Sequence, residues 1–142
     1  MKERFLFRGI IKYPNSNKLA VQYNGKKSIG LLSKNERGLS INNRPVDPDT
    51  IGQCTGLKDK NGKLIFEGDI LKFPKMVSNM PNERGCVYFG FKSYEIKWVN
   101  PNPSHYHYNH GFFSGMDISY HKRTTILGNI YDNPELLKWE VD

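Results

Sequence analysis

The sequence predicts a mainly β protein made of short strands, and three features point that way. The 13 glycines and 8 prolines are scattered in ones and twos along 142 residues, which is punctuation too frequent for long helices. In residues 94–99, Tyr94, Ile96 and Trp98 alternate with Glu95 and Lys97, as a half-buried strand requires. Two Asn-Gly pairs, Asn24-Gly25 and Asn61-Gly62, sit between apolar runs, where they favour tight hairpins. A composition of 37% hydrophobic and 13% aromatic residues is enough to bury a core.

In chain order, RFLFRGII, LAVQY and SIGLL read as strands, separated by the turn signals PNSN and YNGKK. Asn24-Gly25 suits a type I′ turn because both residues tolerate positive φ. Asp47 before Pro48 reads as an N-cap with proline in the first helical position, so one helical turn is expected there. The same place divides a basic, β-rich N-terminal subdomain (residues 1–46) from the remainder (residues 47–142). Strand signals resume with CTGLK, KLIF, DILKF, GCVYFGF and YEIKWV, and later with TTIL and NIY. Asp132, Asn133, Pro134 and Glu135 read as the cap and first turn of a short C-terminal helix.

Charge is unevenly shared. Residues 1–46 carry ten Lys or Arg against Glu3 and Glu36, whereas residues 47–142 carry eleven basic against twelve acidic residues. Such asymmetry marks a surface for phosphate or for an acidic protein, or else a merely solvated face. Arg8 interrupts the first apolar run, and no segment approaches the roughly 20 apolar residues of a membrane span, so a soluble cytoplasmic protein with no membrane partner is expected. Cys54 and Cys86 form neither a disulfide framework nor a CxxC pair and read as buried thiols.

Several stretches could carry chemistry. In residues 55–73 the Asp59-Lys60-Asn61-Gly62 cluster resembles a ligand loop, yet it fails the calcium spacing. With Gly62 as the sixth loop position, Leu57 and Gly68 fall where ligating side chains are needed. No GxxxxGK[ST] is present either, so the cluster reads as hairpin chemistry, with Gly68 opening a second turn into DILKF. His105, His107 and His110 offer the one metal-like pattern, since His-x-His on a strand points both rings to one side, with Asp117 and His121 as further ligands. RGCVYFGF partly matches the RNA-stacking pattern of RNA-recognition motifs, but Cys86, Val87 and Phe89 depart from it, and core aromatics are the expectation. No nucleophile elbow or dinucleotide loop is found, so no enzyme and no cofactor are expected.

QCTGLKDKNGKLIFEGDILKF and ILGNIYDNPELL together resemble the paired signatures of the YopX family of phage and prophage proteins, and Phe7-Arg8-Gly9 resembles a looser form of its opening motif. The two blocks cover about a quarter of the chain. The resemblance implies a β-rich fold whose C-terminal part is a small SH3-like barrel, and it implies no activity. EGDILKF agrees, reading as a turn that feeds a strand with Ile70 and Lys72 on one face and Leu71 and Phe73 on the other.

The reading that follows is a non-enzymatic accessory protein that binds a macromolecule. One version docks onto a host or phage protein, or onto another copy of itself, through Tyr106, Tyr108, Phe112 and Phe113, because clustered aromatics in a loop are interface-like. Another meets nucleic acid through Lys26, Lys27, Lys34, Arg37 and Arg44, with Tyr13 or Tyr23 as a stacking face. A metal-binding module or hydrolase built on His105, His107 and His110 is the third.

Overall fold

The structure, a computed structural model, describes residues 5–72, 84–89, 94–98 and 116–137, apart from the side chains of residues 95, 97, 98 and 116–120. It is mainly β, with several antiparallel sheets, and falls into two units, residues 1–56 and 57–142. The division lies between Gly56 and Leu57, so the helical turn at Asp47-Pro48 belongs to the first unit.

In the first unit, β1 (Phe7–Ile10) pairs antiparallel with β2 (Lys27–Gly30). Between them lies the one α-helix among the described residues, α1 (Leu19–Tyr23), where the sequence suggested a strand. Local hydrogen bonds explain the difference. Asn17 accepts from Leu19 N through Oδ1 at 2.8 Å and from Ala20 N through its carbonyl at 3.1 Å, which winds the chain before the alternation of LAVQY can pair. Val21 is 95% exposed and α1 buries no residue, so no tertiary packing competes with that local preference.

Asn24-Gly25 then closes a type II turn, not a type I′ turn. Asn24 has φ −58° and ψ 135°, Gly25 has φ 88°, and Lys26 N bonds the Tyr23 carbonyl at 3.0 Å. SIGLL also divides, at Leu31, into the end of β2 and the start of β3 (Leu32–Asn35). β3 pairs with β4 (Gly38–Ile41), which pairs with β5 (Arg44–Pro45) in a second small sheet. The β4–β5 connection is where positive φ occurs twice in succession, 54° at Asn42 and 63° at Asn43, as a type I′ hairpin requires.

The turn at Pro48–Thr50 matches expectation, with Asp47 Oδ1 accepting from Asp49 N at 3.0 Å. It fastens to β1, because Ile10 N donates to Thr50 Oγ1 at 2.9 Å and Asp47 N to the Ile10 carbonyl at 2.8 Å. β6 (Gly52–Lys58) begins against β1 through Gly52 and Gln53. Among the described residues of this unit, Ile11, Ile41, Val46 and Cys54 are the buried apolar side chains.

The second unit opens with the hairpin from β6 to β7 (Leu64–Phe66). Asp59 N bonds the Lys63 carbonyl at 2.8 Å and Gly62 has φ 81°, so the DKNG stretch is the turn the sequence suggested. Gly68, with φ 93°, then turns the chain into β8 (Asp69–Lys72). β8 departs from simple alternation, since Ile70 and Leu71 are both fully buried and only Lys72 faces solvent. β8 lies between β9 (Arg84–Phe89) and the later β12 (Thr125–Asn129), inside a five-stranded sheet completed by β10 (Tyr94–Trp98) and β11 (Met116–Asp117), in the order β11-β10-β9-β8-β12.

Ile65, Leu71, Val87 and Ile96 form the core, with Leu57, Tyr94 and Ile126 packed against it, so Tyr94 and Ile96 share the inward face. No closed barrel forms among the described residues. NIY is not a second strand. Asn129 Oδ1 accepts from Tyr131 N and Asp132 N, both at 2.9 Å, and folds the segment into a turn, after which Pro134–Leu137 forms a 3₁₀ turn. Among the described residues no helix is long and apolar enough to cross a membrane.

Candidate functional site

The candidate site lies in the first unit, around a segment held on two sides. Ile11 N bonds the Lys26 carbonyl at 2.8 Å, and Lys12 N bonds the Pro45 carbonyl at 2.9 Å. Asn24 clamps the next residue: its Oδ1 accepts from Tyr13 N at 2.6 Å and its Nδ2 donates to the Tyr13 carbonyl at 3.1 Å. These bonds bring Tyr13 beside Tyr23 at the end of α1, with ring centroids 6.5 Å apart, and beside Arg44 at the start of β5.

Arg44 is fixed by two contacts. Its guanidinium carbon lies 3.5 Å from the centroid of the Tyr23 ring, and Nη1 donates to the Tyr13 hydroxyl at 3.2 Å. The Tyr13 bond raises the guanidinium above its ordinary pKa; burial opposes it, and smaller contributions from Tyr23 add to the rise. Lys26 Nζ lies 5.7 Å from the same Tyr23 ring, within the range of a cation–π contact. One aromatic ring thus gathers two cations.

Beside this cluster is a cleft of about 640 Å³, and Tyr13 belongs to both. Its other walls come from Lys12, Pro14 and Asn17, from Asn35 and the Arg37–Ser40 stretch of the β3–β4 hairpin, from Asn43, and from the chain between Pro45 and Pro48 apart from Asp47. No Asp or Glu lines it. Lys12 makes a 4.0 Å ion pair with Asp47, but its side chain is 69% exposed, so the pair is loose and the ammonium is open to a stronger anion.

Of the five cations expected to form a surface, Lys26 and Arg44 meet on Tyr23 and Arg37 lines the cleft. Lys27 on β2 and Lys34 on β3 are exposed outside both features. Tyr23 already carries Arg44 on its ring, so of the two stacking candidates Tyr13 is the one with a cleft before it. Lys12, Asn35 and Asn43 escaped the sequence reading, because only the β3–β4–β5 hairpins bring them opposite Tyr13.

Tyr106, Tyr108, Phe112 and Phe113, and likewise His105, His107 and His110, lie outside the described residues. His121 is described, and its Nδ1 donates to the Lys58 carbonyl at 2.7 Å. Among the described residues no three His, Cys, Asp or Glu side chains gather as metal ligands. Asp59 is committed to structure. Its Oδ1 accepts from Asn61 N and Lys63 N, both at 2.9 Å, and its Oδ2 from Ile126 N at 3.1 Å. Burial would raise its pKa, but these three bonds and the Lys63 charge outweigh that and lower it. On β9, Val87 is core, whereas Phe89 is 59% exposed with its ring edge-on to Tyr94 at 5.1 Å, which corrects the expectation of core aromatics there. Cys54 is buried and Cys86 half-buried, and neither is in a disulfide.

No curated protein matches the chain. The solved structure of protein EF1440 from Enterococcus faecalis is similar at 22% identity, over 93% of this chain and 96% of that one, with a TM-score of 0.45. The YopX protein family model matches residues 9–138, nearly the whole length and well beyond the two motif blocks. The chain belongs to the YopX family.

Proposed function

We propose that this YopX-family chain is a non-enzymatic phage or prophage accessory protein, working in the cytoplasm of a bacterial host, whose first unit binds single-stranded nucleic acid. The carrying observation is Arg44, stacked on Tyr23 and bonded to Tyr13, with Lys26 on the same ring. A guanidinium held in this way has already given up much of its rotamer freedom, so contact with a phosphate costs less entropy. The neighbouring Tyr13, which also lines the cleft, supplies the aromatic component that single-strand binding uses.

Within this reading the second unit is an SH3-like module. Four consecutive antiparallel strands with a fifth returned beside the first support it, as does the 3₁₀ turn at Ile118–Arg123 before that last strand, an arrangement that SH3-like barrels share.

The test is fluorescence anisotropy of a mixed-sequence single-stranded 20-mer with the full chain. Replacing Lys26, Lys27 and Arg37 together by Ala removes three cations. The slope of log affinity against log salt is expected to flatten by about 2, at roughly 0.7 per lost phosphate contact on a single strand. An unchanged slope, with binding intact, assigns the contact elsewhere and overturns this reading of the first unit.

A second reading has its own support. Phe89, exposed beside Tyr94, suits the docking of a host protein or of another copy of the chain. Phe89→Ser should then lower the solution mass of a self-associated wild type; a wild type that is monomeric at high concentration counts against self-association.

A further inference from the structure

We propose that the cleft beside Tyr13 is a nucleotide-sized pocket that takes one phosphorylated base, its phosphate at Lys12 and Arg37 and its ring against Tyr13 and Pro14. This rests on the reading of the first unit as a nucleic-acid surface and assigns where one unit of the strand is held.

The chemistry of the walls carries the assignment. Asn17 Oδ1 is occupied by Leu19 N and Asn35 Oδ1 by Arg37 N, both at 2.8 Å. Each amide thus has its oxygen turned to a backbone N–H and an NH₂ to offer as donor. With the Lys12 ammonium and the Arg37 guanidinium, the lining becomes rich in donors; no carboxylate is among the lining residues, and Asp47 holds Lys12 only through the loose 4.0 Å pair. Such a wall selects a ligand rich in acceptors and negatively charged. A volume of about 640 Å³ falls within the usual range for small-molecule pockets, far above what a lone phosphate needs. Tyr13 and Pro14 supply flat apolar surface for the remainder, so an aromatic ring joined to a phosphate matches both parts.

That ligand could be a free nucleotide or one residue of a single strand, and the two sources separate by experiment. The probes are a fluorescein-labelled ten-residue oligothymidylate and free thymidine 5′-monophosphate, both with the full chain. Arg37→Ala removes the guanidinium. Asn43→Asp places a carboxylate at the cleft and keeps a residue type that tolerates the left-handed φ of 63° at this turn. Lys60→Ala, in the second unit, is the charge-matched control.

Each cleft variant is expected to bind the oligonucleotide on the order of tenfold more weakly, and the control within about twofold. The side-chain NH₂ signals of Asn17, Asn35 and Asn43 in the NMR spectrum should shift on titration. Shifts with the monophosphate as well as the oligonucleotide support the pocket and show that a free nucleotide suffices; shifts with the oligonucleotide alone support it with the strand as the source. If the wild type binds the oligonucleotide but both cleft variants bind it equally well, the pocket is overturned while the basic surface stands. If neither probe binds the wild type, both are overturned.

Discussion

Asp59 shows how one carboxylate can resemble a ligand and serve as a fastener. It sits in the residue cluster most suggestive of an ion loop, yet its two oxygens are spent on the backbone of its own hairpin and of β12. Asp59→Asn cannot accept on both atoms, so it should destabilise the protein by about 1–3 kcal/mol in urea unfolding. The pH dependence has a definite sign. A carboxyl whose folded pKa lies below its ordinary 3.8 contributes stability that is full above that value and is lost as pH falls through the folded pKa. The unfolding midpoint of the wild type should therefore drop between pH 5 and pH 2.5 by more than that of Asp59→Asn. Equal drops would mean that the carboxylate is not ionised in these bonds.

At the scale of elements, what could be read in advance depended on whether a signal was local. Asp47-Pro48, DKNG and Gly68 carry their turn chemistry in adjacent residues, and each folds as its sequence suggests. LAVQY has a strand-like pattern but only five residues, and two hydrogen bonds accepted by Asn17 decide against it. The type I′ turn was expected at Asn24-Gly25 and occurs at Asn42-Asn43, because asparagine accepts positive φ and the β4–β5 pairing requires it there.

Asn42 has a second task. Its Nδ2 donates at 2.8 Å to the Ile29 carbonyl on β2, an edge strand of its sheet, and an added Cβ at Gly30 would meet its Oδ1 at 2.5 Å. With Ile29 and Leu31 48% and 67% exposed, that amide covers part of an edge otherwise open to another chain. Asn42→Gly keeps the turn and removes the cover, so light scattering should detect more self-association in this variant than in the wild type. An equal mass for the two would show that the edge needs no such protection.

For the whole molecule, the family is legible in the two motif blocks: the first starts on β6 at the end of the first unit and runs on through β7 and β8 of the second, and the other covers β12 and the turns after it. The candidate site was legible only as composition, an excess of Lys and Arg near the start. Its geometry was not, because Tyr13, Arg37, Asn43 and Arg44 lie on different turns and strands, and long-range backbone pairing brings them together. A basic surface with an aromatic pocket whose lining holds no acid makes a simple demand on its partner, that binding must release counterions. The most direct measurement is therefore the affinity of the full chain for a single-stranded 20-mer between 50 and 300 mM salt. With Lys12, Lys26, Lys27, Arg37 and Arg44 engaged, log affinity should fall linearly with log salt at a slope of about −3.5, roughly 0.7 for each cation. No binding at 50 mM salt, or an affinity indifferent to salt, would contradict the account.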